Sequence, residues 1–225
     1  FKQKTAYEIY QCDWIQTCAL PISAQPYALA LHPSVPATTI PQLVAHAKAN
    51  PGKLSFASAG VGTSAHLAGE MFKQMAGVNV VHVPYKGGGP ALNDLLAGQV
   101  AYMFGGISGL APHAQTGKVR ILGVSSAKRS ASAPEIPTVA EGGLPGYSTN
   151  TWNSLVAPRG TPAAIATRLN AEVNVVMNLP EVKDRLKKQG IDPEPGTQAQ
   201  LLAHVKSEIT RFAALIKAIG LQKLD

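Results

Sequence analysis

The chain predicts an α/β fold built on a largely parallel sheet, and three observations carry that expectation. From Ser23 onward, short β-type runs alternate with segments of helical period. Residues 54–77, LSFASAGVGTSAHLAGEMFKQMAG, read as strand, glycine loop and helix with no gap between them. With 225 residues, 45% of them hydrophobic, the chain can bury a sizeable core in one large domain or two lobes.

The first strand is Tyr27 to Leu31. Thr39 then caps a helix whose Ile40, Leu43, Val44 and Ala47 keep the i, i+3, i+4, i+7 spacing, and Asn50-Pro51-Gly52 ends it. Leu54 to Ala57 is a strand. The helix after the glycine loop puts Leu67, Ala68, Met71, Phe72 and Met75 on one face and stops at Gly77. Val78 to Val83 is a β-branched strand, Gly87-Gly88-Gly89-Pro90 opens a short helix ended by Gly98, and Val100 to Phe104 is the next strand. A helix around Leu110 to Gln115 and a strand from Val119 to Ser125 complete the repeated unit. Between Ser126 and Asn150, Pro134, Pro137, Pro145, Gly142, Gly143 and Gly146 interrupt any period, so this stretch reads as a connector. Thr151 to Ala157 is then a strand. Thr161-Pro162 opens a long helix with Ile165, Leu169, Val173 and Val176 inside, and Pro180 opens another that stops at Gly190. Thr197 caps a last helix whose face is Leu201, Leu202, Val205, Ile209, Phe212 and Ile216. The C-terminal third is thus nearly all helix, with too few strands for a sheet of its own.

Residues 1–22 stand apart. They show no regular period, hold both cysteines, Cys12 and Cys18, and resemble the translated sequencing adapter found at the ends of metagenomic gene models. They read as a non-native stretch that takes no part in the fold. Lys2 and Lys4 balance Glu8 and Asp13, so the net charge of +7 does not depend on them. The rest of the chain has no cysteine, which fits an exported protein without disulfides. No apolar run is long enough to span a bilayer, and no signal peptide is visible. The basic residues are scattered and lack the aromatic interleaving of a nucleic-acid stripe, so a nucleic-acid partner is not expected.

The glycine loop points to anion binding. First-turn N–H groups of a helix have no intrahelical partner and sit at the positive end of the helix dipole. Gly60-Val61-Gly62-Thr63-Ser64 lacks the lysine of a nucleotide P-loop, supplies only the first half of a dinucleotide fingerprint, and has His66 where a nucleophile elbow needs glycine. What remains is capture of a small carboxylate or phosphate by amides and the hydroxyls of Ser58, Thr63 and Ser64. The alternative is a tight turn that binds nothing.

Four stretches in order resemble the substrate-binding receptors of tripartite tricarboxylate transporters, the Bug-type periplasmic solute-binding proteins. They are PGKLSFASAGVGTSAHLAGEMFKQMAG at 51–77, VHVPYKGGGPALNDLLAGQV at 81–100, SSAKRSASAPEIPTVAEGGLPGY at 125–147 and LVAPRGTPAAIATRLNAEV at 155–173. The resemblance implies a two-lobed periplasmic-binding-protein fold of type II that holds a small organic carboxylate between its lobes and hands it to a membrane permease. It also implies a periplasmic location, no cofactor, no metal, no insertion into the membrane and no enzymatic activity. On that template 23–150 is a second lobe and 151–225 the crossover strand and C-terminal helices of a first lobe whose N-terminal part is missing. Its ligand loops fall on Ser58, Ala59, Gly60, Gly62 and Thr63, with His66 one turn into the helix, and on Tyr85, Lys86, Gly87 and Gly88. Many relatives carry Asp or Asn after the strand ending at Phe104, where this chain has Gly105-Gly106.

The single residues leave alternatives open. His66 orients the loop as a cap or helix-surface residue, because no second ligand at metal spacing accompanies it. Lys86 pairs with a solute charge or is simply exposed. Tyr85 lines a cleft or packs, and Trp152 is a hinge-side wall or plain core. Two other classes compete with a receptor. One is an enzyme on a small anion using Ser58, Ser64 or His66. The other is the effector-binding domain of a transcription regulator, which would need an N-terminal helix-turn-helix that residues 1–22 do not supply.

Overall fold

The computed structural model describes residues 19–158 and 160–221, and the chain divides into two compact units. The central unit is Pro26–Asn150; the flanking unit takes the residues up to Gln25 and those from Thr151 onward. The segment set apart in the sequence, including both cysteines, lies largely outside the described residues. Its last four residues do not: β1 runs Ala19–Leu31, and Ile22 accepts a hydrogen bond from Glu194 N–H at 3.0 Å.

The central unit alternates strand and helix, as its sequence pattern predicts. After β1 come α1 (Ile40–Ala49), β2 (Ser55–Ser58), α2 (Ser64–Ala76), β3 (Val81–Pro84), α3 (Gly88–Leu96), β4 (Tyr102–Gly106), α4 (Ile107–Gln115) and β5 (Arg120–Val124). The sheet order is β3-β2-β4-β1-β5. β2 pairs in parallel with β3 and with β4, whereas β1 is antiparallel to both β4 and β5. The sheet is therefore mixed, with two parallel and two antiparallel pairings, where the sequence pattern predicts a largely parallel one. β1 crosses from one unit to the other, and no helix returns it to the sheet in the same direction.

Both faces of this sheet are covered, so its strands read as near-continuous apolar runs. Ala28, Ala30, Ala57 and Met103 pack with Ala91 and Leu95 of α3 and with Ile107 and Leu110 of α4. The small alanines let those helices lie close. On the opposite face Phe56, Tyr102 and Phe104 form an aromatic layer with Phe72 of α2 and with Tyr147. Gly69 is required here, since a Cβ at that position would lie 2.1 Å from the Phe56 ring. The 126–150 stretch is not a free connector. Val139 and Tyr147 are buried, and Tyr147 Oη donates to Ala68 O at 2.9 Å, which fastens the stretch onto α2.

Ser125, fully buried after β5, ties down both places where the chain leaves this unit. Its hydroxyl accepts from Tyr27 N–H at 2.9 Å and donates to Thr149 O at 2.6 Å. Its backbone bonds the same two residues, N–H to Tyr27 O at 2.7 Å and C=O from Thr149 N–H at 2.8 Å.

In the flanking unit β6 (Asn150–Val156) pairs with β1, and β7 (Asp192–Pro193) pairs antiparallel with Ser23 and Ala24. Around them are α5 (Ala163–Asn178), α6 (Pro180–Lys188) and α7 (Gln198–Ala218). Thr197 and Gln200 form a reciprocal capping box at the start of α7, so Thr197 caps as its sequence position predicts. The helix faces differ from expectation. Of the predicted α5 core positions Ile165 is 51% exposed, Leu169 40% and Val176 48%, while Ala166 and Met177 are the buried ones. In α7, Leu201, Val205 and Phe212 are buried as expected; Leu202 is exposed and Leu215 takes a core place.

Candidate functional site

Three helices of the central unit, α2, α3 and α4, begin where the parallel strands β2, β3 and β4 end. Parallel strands all finish at the same edge, so three helix N-termini gather there, which is the usual ligand edge of an α/β sheet. None of the three has an acidic residue in its first turn. Among the described helices α6 alone carries an acidic residue, Glu181, in its first turn, so what sets these three apart is that their N-termini gather at one edge. The positive ends of these helix dipoles are therefore left without an internal carboxylate.

The first loop is built by its own polar side chains. Thr63 Oγ1 accepts from His66 N–H at 3.3 Å as the N-cap of α2, and donates to Gly60 O at 2.7 Å. Ser58, fully buried, accepts from Gly60 N–H at 3.2 Å and has its Oγ 2.6 Å from His82 Nε2. Gly62 N–H donates to His66 Nδ1 at 3.1 Å. Gly60 has φ +134°, and a Cβ there would lie 3.3 Å from Tyr85 O, so both its conformation and its neighbour demand glycine. Ser58, Thr63 and His66 thus shape the loop from inside. Among the described residues no hydrogen bond engages the Ser64 hydroxyl, and the N–H groups of Ser64 and Ala65 occupy the first turn, which lacks intrahelical acceptors.

The second loop is knitted to the first: Tyr85 N–H donates to Ser58 O at 3.0 Å and Gly87 N–H to Ala59 O at 3.1 Å. Gly87 is the N-cap of α3 with φ +118°, and Cβ atoms built on Gly87, Gly88 or Gly89 would meet nothing within 4 Å. The backbone is open to close approach. Tyr85 Oη donates to Asp94 Oδ2 at 2.7 Å. Desolvation, then that hydrogen bond and the Asp94 charge, push the phenol up to about 12. Lys86 is exposed and has no ion pair among the described residues. At the third loop Gly106 caps α4 with no side chain, so this corner offers backbone alone.

Behind the first loop lies a feature the sequence reading missed. The His66 and His82 rings stack with centroids 3.9 Å apart and planes at 21°, and the Phe56 ring lies near-parallel to both, 4.8 Å from His82 and 6.5 Å from His66. His66 is 5% exposed, so it is not a helix-surface residue. Burial lowers its pKa, Glu70 raises it and Lys73 lowers it, with burial prevailing. His82 falls to about 4 through burial, the facing His66 and Lys73. The signal for His82 is long-range: the parallel β2–β3 register sets it opposite Phe56 and beside α2. Among the described residues no group of three His, Cys, Asp or Glu side chains is placed to hold a metal ion. Trp152 belongs to the flanking unit, half-buried and edge-on to His204 at 5.4 Å.

The geometry defines an α/β domain with an electropositive, backbone-lined edge suited to a small anion. The sequence model of the tripartite tricarboxylate transporter family receptor matches residues 7–221, and the chain belongs to that family. It is 45% identical over 178 residues to the UPF0065 protein in the tcbD-tcbE intergenic region of Pseudomonas sp. (strain P51), covering 79% of this chain and 53% of that protein. It is 33% identical to BugT of Bordetella pertussis, covering 87% of this chain and 60% of BugT. The chain therefore spans between about half and two thirds of the length of these curated relatives. Among solved structures, an R. palustris protein with adipate superposes with a TM-score of 0.81 at 35% identity, covering 92% of this chain and 70% of that one. MatC from Rhodopseudomonas palustris with bound malate gives 0.75 at 30% identity, covering 89% and 69%. The periplasmic binding protein BugD gives 0.76 at 31%, covering 93% and 70%. The fold class is that of these binding proteins. The family is one of receptors rather than enzymes, which counts against Ser58, Ser64 or His66 as reactive groups.

Proposed function

We propose that this chain is part of a periplasmic receptor that captures a small organic carboxylate at the three-helix edge and delivers it to a tripartite tricarboxylate-type permease. The observation that carries the reading is the gathering of three helix N-termini with no acidic residue in any first turn. A carboxylate there gains charge-assisted hydrogen bonds from backbone donors. The adipate and malate carried by two solved relatives support the ligand class. In this reading Ser64, Ala65, Gly88 and Gly89 offer amides and the Ser64 hydroxyl a further donor. Ala59, Gly60, Gly62 and Gly87 allow close approach, Lys86 adds charge, and Tyr85 lines the edge. Ser58, Thr63 and His66 hold the first loop in shape.

The location rests on the family and on BugD. Among the described residues no helix is long and apolar enough to cross a membrane. Calorimetry against mono-, di- and tricarboxylates tests the reading and should return binding by at least one class. Ser64→Asp sharpens the test. A carboxylate at the first position of α2 favours the helix yet repels an anionic ligand, so stability should hold while affinity falls by about tenfold or more. Silence across the panel, or undiminished affinity in Ser64→Asp, would remove the proposal.

A further inference from the structure

We infer that His66 and His82 are positioning residues for the first loop, and that protonation of His66 in acid releases the loop and weakens carboxylate binding. This rests on the reading of the helix edge as an anion site. The two rings hold the two ends of one loop. His82 reaches Gly60 through Ser58, whose hydroxyl lies 2.6 Å from His82 Nε2 and accepts from Gly60 N–H. His66 holds Gly62 directly, its Nδ1 accepting from Gly62 N–H at 3.1 Å.

That second bond dictates a protonation state. An imidazole that accepts at Nδ1 is neutral and carries its proton on Nε2. Adding a proton puts an N–H on Nδ1, so two donors face each other and the bond to Gly62 is lost. Thr63, the cap of α2, follows Gly62 directly, so the loop then leaves the shape that presents the helix N-terminus.

The groups facing the pair decide when this happens. Glu70 Oε1 lies 4.0 Å from His66 Nε2 and favours the proton, but Glu70 is itself paired to Lys73 at 3.1 Å. The second imidazole stacks on the first, and Ser58, the Phe56 ring and the buried Tyr102 phenol complete the surroundings from β2 and β4. Burial outweighs the attraction of Glu70 at His66 and holds the ring neutral below its ordinary range. The loop is therefore intact at neutral pH. As the pH falls, protons bind preferentially to the released form and work against the ligand. A buried cation beside a helix N-terminus would instead attract an anion, so the sign of the pH dependence separates the two effects.

The experiment is calorimetry of the full chain with adipate from about pH 8 to about pH 4, which extends below the ordinary imidazole range because burial lowers the His66 titration. It compares wild type with His66→Asn, whose Oδ1 can accept from Gly62 N–H and does not titrate. Kd for the wild type should rise toward about tenfold per pH unit below the ring's titration. At pH 8 His66→Asn should bind within about threefold of wild type, because the acceptor is kept. Adipate's own protonation cancels in the ratio of the two constants. His66→Phe, which keeps a ring and loses the acceptor, should bind weakly at every pH. In parallel, the Gly62 amide resonance of the ligand-free chain should titrate together with the His66 ring nitrogens. A flat ratio, affinity that rises in acid, His66→Phe binding like His66→Asn, or a Gly62 amide blind to the ring would each overturn the inference while leaving the receptor reading standing. Absence of adipate binding at pH 8, with malate and the wider carboxylate panel also silent, would overturn both.

Discussion

Helices α2 and α5 are both amphipathic by sequence, yet α2 buries nine of its residues and α5 only two, Ala166 and Met177. The difference lies in what faces them. α2 lies on a five-stranded sheet whose aromatic layer meets it along its length, and even Gly69 is filled by the Phe56 ring. In the flanking unit the described strands are the start of β1, β6 and the two-residue β7, and Ile165, Val175 and Val176 remain about half exposed or more. A helical period says which face is apolar. It does not say that anything covers that face.

The sharpest way to break this comparison is to make similar truncations in the two units. Leu67→Ala, at a fully buried position of α2, should cost about 2–5 kcal/mol in chemical denaturation. Val176→Ala, at a position 48% exposed, should stay within about 0.5 kcal/mol. Equal losses would mean that α5 packs as tightly as α2. Ser125→Ala leaves a buried N–H and C=O without their side-chain partner and should cost about 1–3 kcal/mol, read as a lower denaturation midpoint with an unchanged slope. Thr63→Ala removes the cap of α2 at about 0.5–2 kcal/mol, and amide exchange should quicken first at His66. The smallest effect belongs to Gln200→Ala, which opens half of the capping box of α7. It should raise exchange within the flanking unit and leave the central unit unchanged. Native-state exchange across the whole chain then provides the overall check, with uniform protection in both units contradicting the contrast.

Local chemistry made the central unit legible. Thr39 caps α1 where its sequence position predicts, and Gly77 takes the left-handed conformation, φ +61°, that ends α2. Residues far apart in sequence decide what was not legible. The direction of β1 follows from its passage between units, and no run of residues encodes that. β3 begins at Val81 rather than Val78 because pairing with β2 starts at Ser55 opposite Val81, whatever the β-branched residues before it. The same pairing brings His82 onto His66, sixteen positions earlier in the chain, from a strand where a lone histidine reads as ordinary. Within the candidate site the glycines and helix starts were visible, but the work of the polar side chains was not. Ser58 and Thr63 read as ligand contacts from their chemistry, whereas their hydrogen bonds run inward; His66 orients the loop as its sequence reading allowed, but from a buried position and not from the helix surface.

The Ser125 clamp bears on the order in which the molecule can assemble. The flanking unit joins segments from both ends of the described chain; Asn153 Nδ2 donates to Ser23 Oγ across 130 positions. Closing so long a loop in a disordered chain is entropically costly and slow. The central unit is one continuous stretch, Pro26–Asn150, so it can fold without either segment. Once it has, Ser125 holds Tyr27 and Thr149 on one residue, and the remote strands emerge side by side. A search over more than a hundred residues becomes a meeting of neighbours, with the central unit acting as its template.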